Sequence, residues 1–157
     1  MSQALDSRTG VNGPSARRVI RFSKRGASLG MTATTTDEII RQIERGLPFK
    51  ALRTLETMSG VGASSIASAI GIPERTLARR KAADRLSPEE SERLFRISTM
   101  FEKAVELFEG DASAAVSWLA TPKRALGNRS PLTYSRTEVG AREVENLIGR
   151  LEHGVFS

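Results

Sequence analysis

Apolar residues recur at steps of three and four along most of the chain, which is the spacing of amphipathic helices. In the longest such segment one buried stripe is predicted, formed by Leu94, Ile97, Phe101, Ala104 and Phe108. The same pattern, interrupted by Gly and Pro, predicts helices over residues 36–45, 48–60, 62–69, 73–81, 88–109, 112–119 and 136–152, with a short turn at 131. No segment alternates in the manner of a strand, so the predicted fold is all-α.

Capping residues support several of these boundaries. Thr35 and Glu38 have the spacing of a capping box, and Ser87 and Glu90 repeat it with a proline between them. Asp111 is expected to cap the helix that follows it. In the first helix the residues predicted to be buried are Ile39, Ile40 and Ile43.

Residues 1–34 differ from the rest, because they are rich in Gly, Ser, Thr and Arg and have no sustained apolar period. Such a segment buries too little apolar surface to offset the entropy of ordering, so it is predicted to be a disordered basic tail. The segment contains one apolar cluster that could order, either as a short strand or as an anchor on a partner: Val19, Ile20 and Phe22. A start of translation at Met31, just before the first predicted helix, is a hypothesis that the intact mass of the native protein would decide. Five of the six net positive charges lie in this segment, so global charge is poor support for nucleic-acid binding.

Composition excludes several kinds of chemistry. The chain has no cysteine and a single histidine, His153. The side chains required for thiolate chemistry, for metal-ligand clusters and for histidine-dependent catalytic triads are therefore missing. We therefore expect no catalytic residue, no bound metal and no cofactor. No apolar run reaches the length of a membrane span and no signal peptide is recognisable, which favours a cytoplasmic protein.

Residues 63–82 have the features of a helix-turn-helix. Ala67 is small where two helices must cross closely, and Gly71 suits a turn with positive φ. Pro73 starts the second helix. The apolar residues expected to clamp the pair are Ile66, Ile70, Ile72 and Leu77.

The second helix carries a basic face. Arg75, Thr76, Arg79 and Arg80 fall within an arc of about 140°. Residues near the start of a recognition helix reach base edges, so Arg75, Thr76 and Arg79 are predicted to read sequence. The residues predicted to hold phosphates are Arg80, Lys81 and Arg85. The alternative is a solvated basic face in a helical bundle, and Arg80 stands where such motifs often have an apolar residue.

Two separate stretches resemble one protein family. Residues 71–81 and 86–94 resemble the Xre/MbcA/ParS antitoxins. Downstream, the residues in the order and spacing of that family's toxin-binding region are Ala115, Trp118, Leu119, Pro122, 125–127, 130–132, 137–138, Gly140, Val144 and 154–155. The resemblance covers residues 38–157 and departs from the family at Tyr134 and Ser135.

The resemblance implies a division of the chain and a function. It implies a helix-turn-helix domain over residues 35–97 and a helical toxin-binding and dimerisation domain over residues 98–157. Relatives are antitoxins of type II toxin–antitoxin systems, and their toxins usually carry an NAD-consuming RES domain. The implied partners are thus a cognate RES-domain toxin, operator DNA and a second copy of the chain, within a larger toxin–antitoxin complex that represses its own operon.

The end of the chain is the predicted toxin contact. Arg142, Glu145 and Arg150 lie opposite the apolar stripe of the last helix, and the residues expected to project from its end are His153, Gly154, Val155, Phe156 and Ser157. An apolar residue on a terminus can fill a partner's cleft while charged neighbours set the register. The alternative is a frayed terminus. Trp118, the single tryptophan, is expected to anchor the core.

Two other functions remain open at this point. A stand-alone transcriptional regulator would use its C-terminal half only to dimerise. An interaction adaptor with a degenerate helix-turn-helix would bind no operator at all.

Overall fold

The computed structural model describes residues 19–154, and in that range the chain is helical, as predicted. The helices are α1 (Thr36–Arg45), α2 (Phe49–Ser59), α3 (Ala63–Ala69), α4 (Glu74–Ala83), α5 (Pro88–Leu107), α6 (Ala112–Ala120), α7 (Pro131–Tyr134) and α8 (Glu138–Glu152). Short 3₁₀ turns lie at Ala27–Leu29 and Arg124–Leu126. Extended pairing in the described range is limited to two isolated bridges, Val19 with Asp111 and Lys123 with Arg129.

Helix α5 is the centre of the fold, and α1, α2, α6 and α8 pack around it. Leu94, Phe101 and Ala104 of the predicted stripe are buried, while Ile97 and Phe108 are half-buried. Met100 and Val105 are also buried, because α5 has neighbours on more than one side. One continuous core therefore joins the two halves of the chain, and the domain boundary predicted between residues 97 and 98 lies inside α5.

The predicted caps are present, except that the box at α1 is incomplete: Thr35 Oγ1 accepts from the Glu38 amide at 3.1 Å, but the Glu38 carboxylate accepts from the amide of Thr34 at 2.8 Å. Ser87 Oγ accepts from the Glu90 amide at 3.1 Å, and Glu90 Oε1 accepts from the Ser87 amide at 2.8 Å, so α5 has a complete capping box. Asp111 Oδ1 accepts from the amide of Ala114 at 3.0 Å. These bonds satisfy amide groups that a helix start otherwise leaves unpaired.

The prediction that Ile40 is buried is wrong. Ile40 is 47% exposed, whereas Ile39 and Ile43 are half-buried against α5. Residues four apart share a face of a helix, but a neighbour in sequence points about 100° away. Because α1 packs on the core along one side only, Ile40 faces outward.

The prediction that residues 1–34 are disordered is wrong for residues 19–34. Ser28, Leu29, Met31 and Ala33 are buried, and the Phe22 ring meets Phe101 edge-on at 5.8 Å. This segment has no helical or strand period because it follows the surface of α2 and α5 in irregular conformation. Residues 1–18 lie outside the described part of the chain.

A buried carboxylate holds this segment in place. Glu102 on α5 is 8% exposed and accepts hydrogen bonds from the Gly26 amide at 3.1 Å and the Ser28 amide at 2.9 Å. The Ser28 hydroxyl donates to the same carboxylate at 2.5 Å. Burial raises the pKa of Glu102 despite the bonds from Ser28 and Gly26. A chain beginning at Met31 would lack both of these partners.

Gly140 permits a close contact between α7 and α8. A Cβ at this position would lie 1.8 Å from the backbone oxygen of Tyr134, so the first turn of α8 touches the backbone at the end of α7. Thr137 caps α8 by accepting from the Gly140 amide at 3.0 Å. The short α7 is thereby fixed against the last helix.

Candidate functional site

Helices α3 and α4 form the predicted helix-turn-helix. Gly71 has φ +77°, and the Ile72 amide donates to the Ala67 carbonyl at 2.8 Å, which closes the turn. The clamp is as predicted, since the buried residues include Ile66, Ala67, Ile70 and Ile72, with Leu77 half-buried. The turn needs the left-handed backbone conformation that glycine adopts without steric cost.

One face of α4 is open to solvent and basic. Arg75, Arg79 and Lys81 are exposed, and Thr76 between them is half-buried. Arg79 Nη2 donates to Thr76 Oγ1 at 3.3 Å. Within residues 19–154 no carboxylate pairs with Arg75, Arg79 or Lys81. These groups keep their charge available for an anionic partner.

Arg80 is held by the protein itself. Its Nε donates to Glu90 Oε1 at 2.7 Å, and both side chains are largely covered. Burial alone would raise the pKa of Glu90, but the hydrogen bonds from Arg80 and Ser87 outweigh it and lower that pKa. This contact explains why a charged residue stands at a position that is usually apolar: its guanidinium ties α4 to the start of α5.

Arg85 also has partners within the chain. Its Nη1 donates to the backbone oxygens of Arg45 at 3.2 Å and Gly46 at 2.8 Å, at the end of α1. A cation at a helix C-terminus meets carbonyl groups that have no helical partner. Sequence spacing did not indicate this contact, because the partners lie about 40 residues away.

The predicted toxin contacts fall into two groups along α8. Arg142 and Glu145 line a groove of about 320 Å³ between α1 and α8, which also contains Ile40 and Ala141. Both are ion-paired, Arg142 with Glu138 at 3.4 Å and Glu145 with Lys103 at 3.3 Å. Val139, at the start of α8, is an exposed apolar residue that was not among the predicted contacts; its side chain is 77% exposed.

The second group is at the other end of α8. Arg150 is half-buried, and His153 and Gly154 are exposed just beyond the helix. Eleven residues separate Arg142 from His153, which is about 16 Å along a helix. The structure therefore does not bring the predicted contacts into one patch. Val155, Phe156 and Ser157 lie outside the described residues.

Trp118 contributes to the core from its edge. It is half-buried on α6, and Lys123 Nζ lies 5.1 Å from the centre of its ring. Partial burial lowers the pKa of Lys123. Its neighbour Leu119, which is 6% exposed, and Ala115 are the residues of α6 that reach the interior.

Neither a metal site nor a membrane segment is found in the part of the chain that the structure describes. Residues 19–154 contain no group of three or more His, Cys, Asp or Glu that could hold a metal ion. None of the helices in this range is long and apolar enough to cross a membrane.

Comparison with known proteins matches both halves of the chain. Residues 38–98 match the antitoxin Xre-like helix-turn-helix domain, and residues 103–154 match the antitoxin Xre/MbcA/ParS C-terminal toxin-binding domain. Antitoxin Xre of Yersinia enterocolitica is 42% identical over 82% of this chain and 88% of its own length. Antitoxin Xre of Photorhabdus laumondii is 33% identical over 83% and 88%, and that of Pseudomonas putida is 34% identical over 53% and 52%.

Proposed function

The chain belongs to the Xre family of antitoxins, and from this we propose that it neutralises a cognate toxin and represses its own operon. We assign the toxin to the NAD-consuming RES class and the pair to the type II systems. The toxin class comes from the resemblance of residues 38–157 to that family. The antitoxin acts in the cytoplasm as a homodimer within a larger complex with the toxin.

The observation that carries the DNA-binding part is the unpaired basic face of α4. Arg75, Thr76 and Arg79 are proposed to contact base edges, because they lie in the first two turns of the recognition helix. Lys81 is proposed to hold a backbone phosphate. Arg80 donates to Glu90, and Arg85 donates to carbonyl oxygens at the end of α1. Because some of their N–H groups are already bonded, these two residues are proposed to contribute less to phosphate binding.

The DNA-binding proposal is tested with the chain's own promoter. Fluorescence anisotropy compares the wild type with Arg75→Ala/Arg79→Ala, and with Arg41→Ala/Arg124→Ala as a control of equal charge loss outside α4. A good bidentate contact to a base discriminates by about 1–3 kcal/mol, so the first variant should bind at least about tenfold more weakly. Equal affinities of the two double variants would contradict the assignment.

A homodimer makes a geometric prediction about the operator. Two recognition helices related by a twofold axis read half-sites about 34 Å apart, or a multiple of that. Shifting one half-site by five base pairs puts it on the opposite side of the duplex and should remove the tight binding. Binding that ignores the spacing would contradict the dimeric arrangement.

Toxin inhibition is tested by co-expression with the product of the adjacent gene. The full chain should restore growth, and a chain lacking residues 150–157 should restore it less well. The Arg75→Ala/Arg79→Ala variant is the matched control, because it should lose operator binding and keep the rescue when both genes are driven by a foreign promoter. A neighbour without toxicity would favour the stand-alone regulator instead.

A further inference from the structure

Three arginines surround a cavity beside the turn of the helix-turn-helix. The cavity has a volume of about 350 Å³ and is bordered by the end of α3 with its turn, by α5 and by the segment before α8. Arg93, Arg96 and Arg136 line it together with Ser68 and Ser135. No carboxylate is among the described residues that line it.

Two of the three guanidinium groups donate to backbone carbonyls, and only one of the three has an ion-pair partner. Arg93 Nη1 donates to the Ile70 carbonyl at 3.3 Å, and Arg96 Nη1 donates to the Arg136 carbonyl at 3.4 Å. Glu92 is an ion-pair partner of Arg96, at 3.6 Å. The guanidinium of Arg136 has no hydrogen bond or ion pair with residues 19–154. The cavity therefore has an excess of positive charge and unused N–H donors.

We propose that Arg93, Arg96 and Arg136 form a phosphate-binding site, and that its occupant is a backbone phosphate of operator DNA next to the recognition helix. Guanidinium groups match the tetrahedral oxygens of phosphate and stay charged at any physiological pH. The position favours DNA as the source, because Gly71 borders the cavity and α4 begins three residues later. The assignment of DNA rests on the proposed function, whereas the anion site rests on the cavity.

The site joins the two parts of the chain. Arg93 and Arg96 lie within the region that matches the helix-turn-helix domain, and Arg136 lies within the region that matches the toxin-binding domain. A residue of the toxin-binding region thus contributes to operator affinity, outside the α4 face. Since a phosphate contact carries no base information, Arg136 should strengthen binding to all sequences alike.

The test is the salt dependence of binding to promoter DNA. The DNA-binding constants of the wild type, Arg136→Gln and Arg93→Gln/Arg136→Gln are measured in a buffer without phosphate. The KCl concentration is varied from about 50 to about 300 mM. The slope of log K against log salt concentration is negative, and each lost phosphate contact should reduce its magnitude by about 0.9. The loss of one contact should also weaken binding roughly eightfold at about 0.1 M salt. Arg41→Gln/Arg124→Gln removes two charges elsewhere and should leave the slope unchanged.

Arg136→Gln is the informative variant because no protein contact depends on its guanidinium. A slope whose magnitude decreases by about 0.9, for specific and random DNA alike, supports the proposal. A slope equal to that of the wild type, while Arg75→Ala/Arg79→Ala still weakens promoter binding at least about tenfold, overturns this inference and leaves the proposed function standing. A loss of affinity for the toxin with an unchanged slope also overturns it and assigns the arginines to an acidic protein surface.

A second measurement separates the DNA from free phosphate. Titration of the full chain with inorganic phosphate, followed by the NMR signal of the Arg136 side-chain Nε–H, should show only weak binding in the millimolar range. Tight saturation by inorganic phosphate in a protein that binds no promoter DNA refutes both the DNA occupant and the proposed operator binding.

Discussion

Removing the Ser28 hydroxyl tests how the irregular N-terminal segment is held. Ser28 is fully buried, and its hydroxyl donates to the carboxylate of Glu102 at 2.5 Å. Alanine at this position fills nearly the same space, so the main change is the loss of one hydrogen bond to a buried charge. Hydrogen bonds to charged groups contribute about 1.5–3 kcal/mol, and we expect Ser28→Ala to lower the free energy of unfolding by that amount at pH 7.

The effect of Ser28→Ala should depend on pH with a defined sign. Burial raises the pKa of Glu102 in the folded chain, and the Ser28 hydroxyl opposes this, so Ser28→Ala raises the pKa further. A raised folded pKa adds stability that is complete below the unfolded pKa and is lost as pH rises through the folded one. The destabilisation by Ser28→Ala should therefore grow from acidic to neutral pH, as the carboxyl loses its proton.

Urea unfolding followed by circular dichroism measures the size of the destabilisation and its pH dependence. The pH is varied from about 4.5 to about 7.5, which lies above the usual pKa of glutamate. Ser98→Ala is the matched control. Ser98 is equally buried, but its hydroxyl donates to the uncharged Phe95 carbonyl at 2.7 Å. Its loss should cost about 1 kcal/mol at every pH. A Ser28→Ala effect that is as small and as independent of pH as that of Ser98→Ala would refute the reasoning.

Two further predictions concern packing and capping. Gly140→Ala places a methyl group against the Tyr134 carbonyl, so α7 and α8 must separate. The free energy of unfolding, measured in urea, should fall by about 1–3 kcal/mol or more. Gly149→Ala is the control, because the space around Gly149 is open and the added methyl group should not lower stability. Glu90→Gln should cost roughly 1.5–3 kcal/mol at pH 7. Because the pKa of Glu90 is lowered in the fold, its contribution is present above the unfolded pKa and is lost as pH falls through the folded one. The destabilisation by Glu90→Gln should therefore shrink on acidification, as should that by Ser28→Ala, because each variant loses a hydrogen bond to an ionised carboxylate.

The helices were predictable because their signals are local. The first helix was predicted over residues 36–45, which are the observed bounds of α1, and Gly71 has the positive φ expected of it. Capping residues act over three or four positions and periodicity over one helix, so both can be recognised without knowing the fold. The burial of individual residues is less local. Ile40 belongs to an apolar triplet, but the single-sided packing of α1 leaves it outside.

The missed features all depend on contacts that are distant in sequence. The segment before α1 is ordered by Glu102, which lies more than 70 residues away, and nothing in its composition indicates that partner. On α4 the sequence predicts that Arg80 holds a phosphate, but the structure pairs Arg80 with Glu90 and leaves Arg75 and Arg79 unpaired with acids. Which arginine is available to a ligand is decided by the tertiary fold.

The central helix constrains how toxin binding and operator binding can influence each other. Helix α5 runs from residue 88 to 107 without a glycine or an internal proline, and it carries the Glu90 contact to α4 at one end and the Glu102 contact at the other. Kinks in helices arise at proline, glycine or helix defects, none of which α5 offers. A hinge between the two matched regions is therefore absent from α5, and their side chains share one close-packed core. If the proposed complex couples toxin binding to operator binding, we expect the toxin to change how whole copies of the antitoxin are placed relative to the two half-sites, because α5 gives the single copy no hinge.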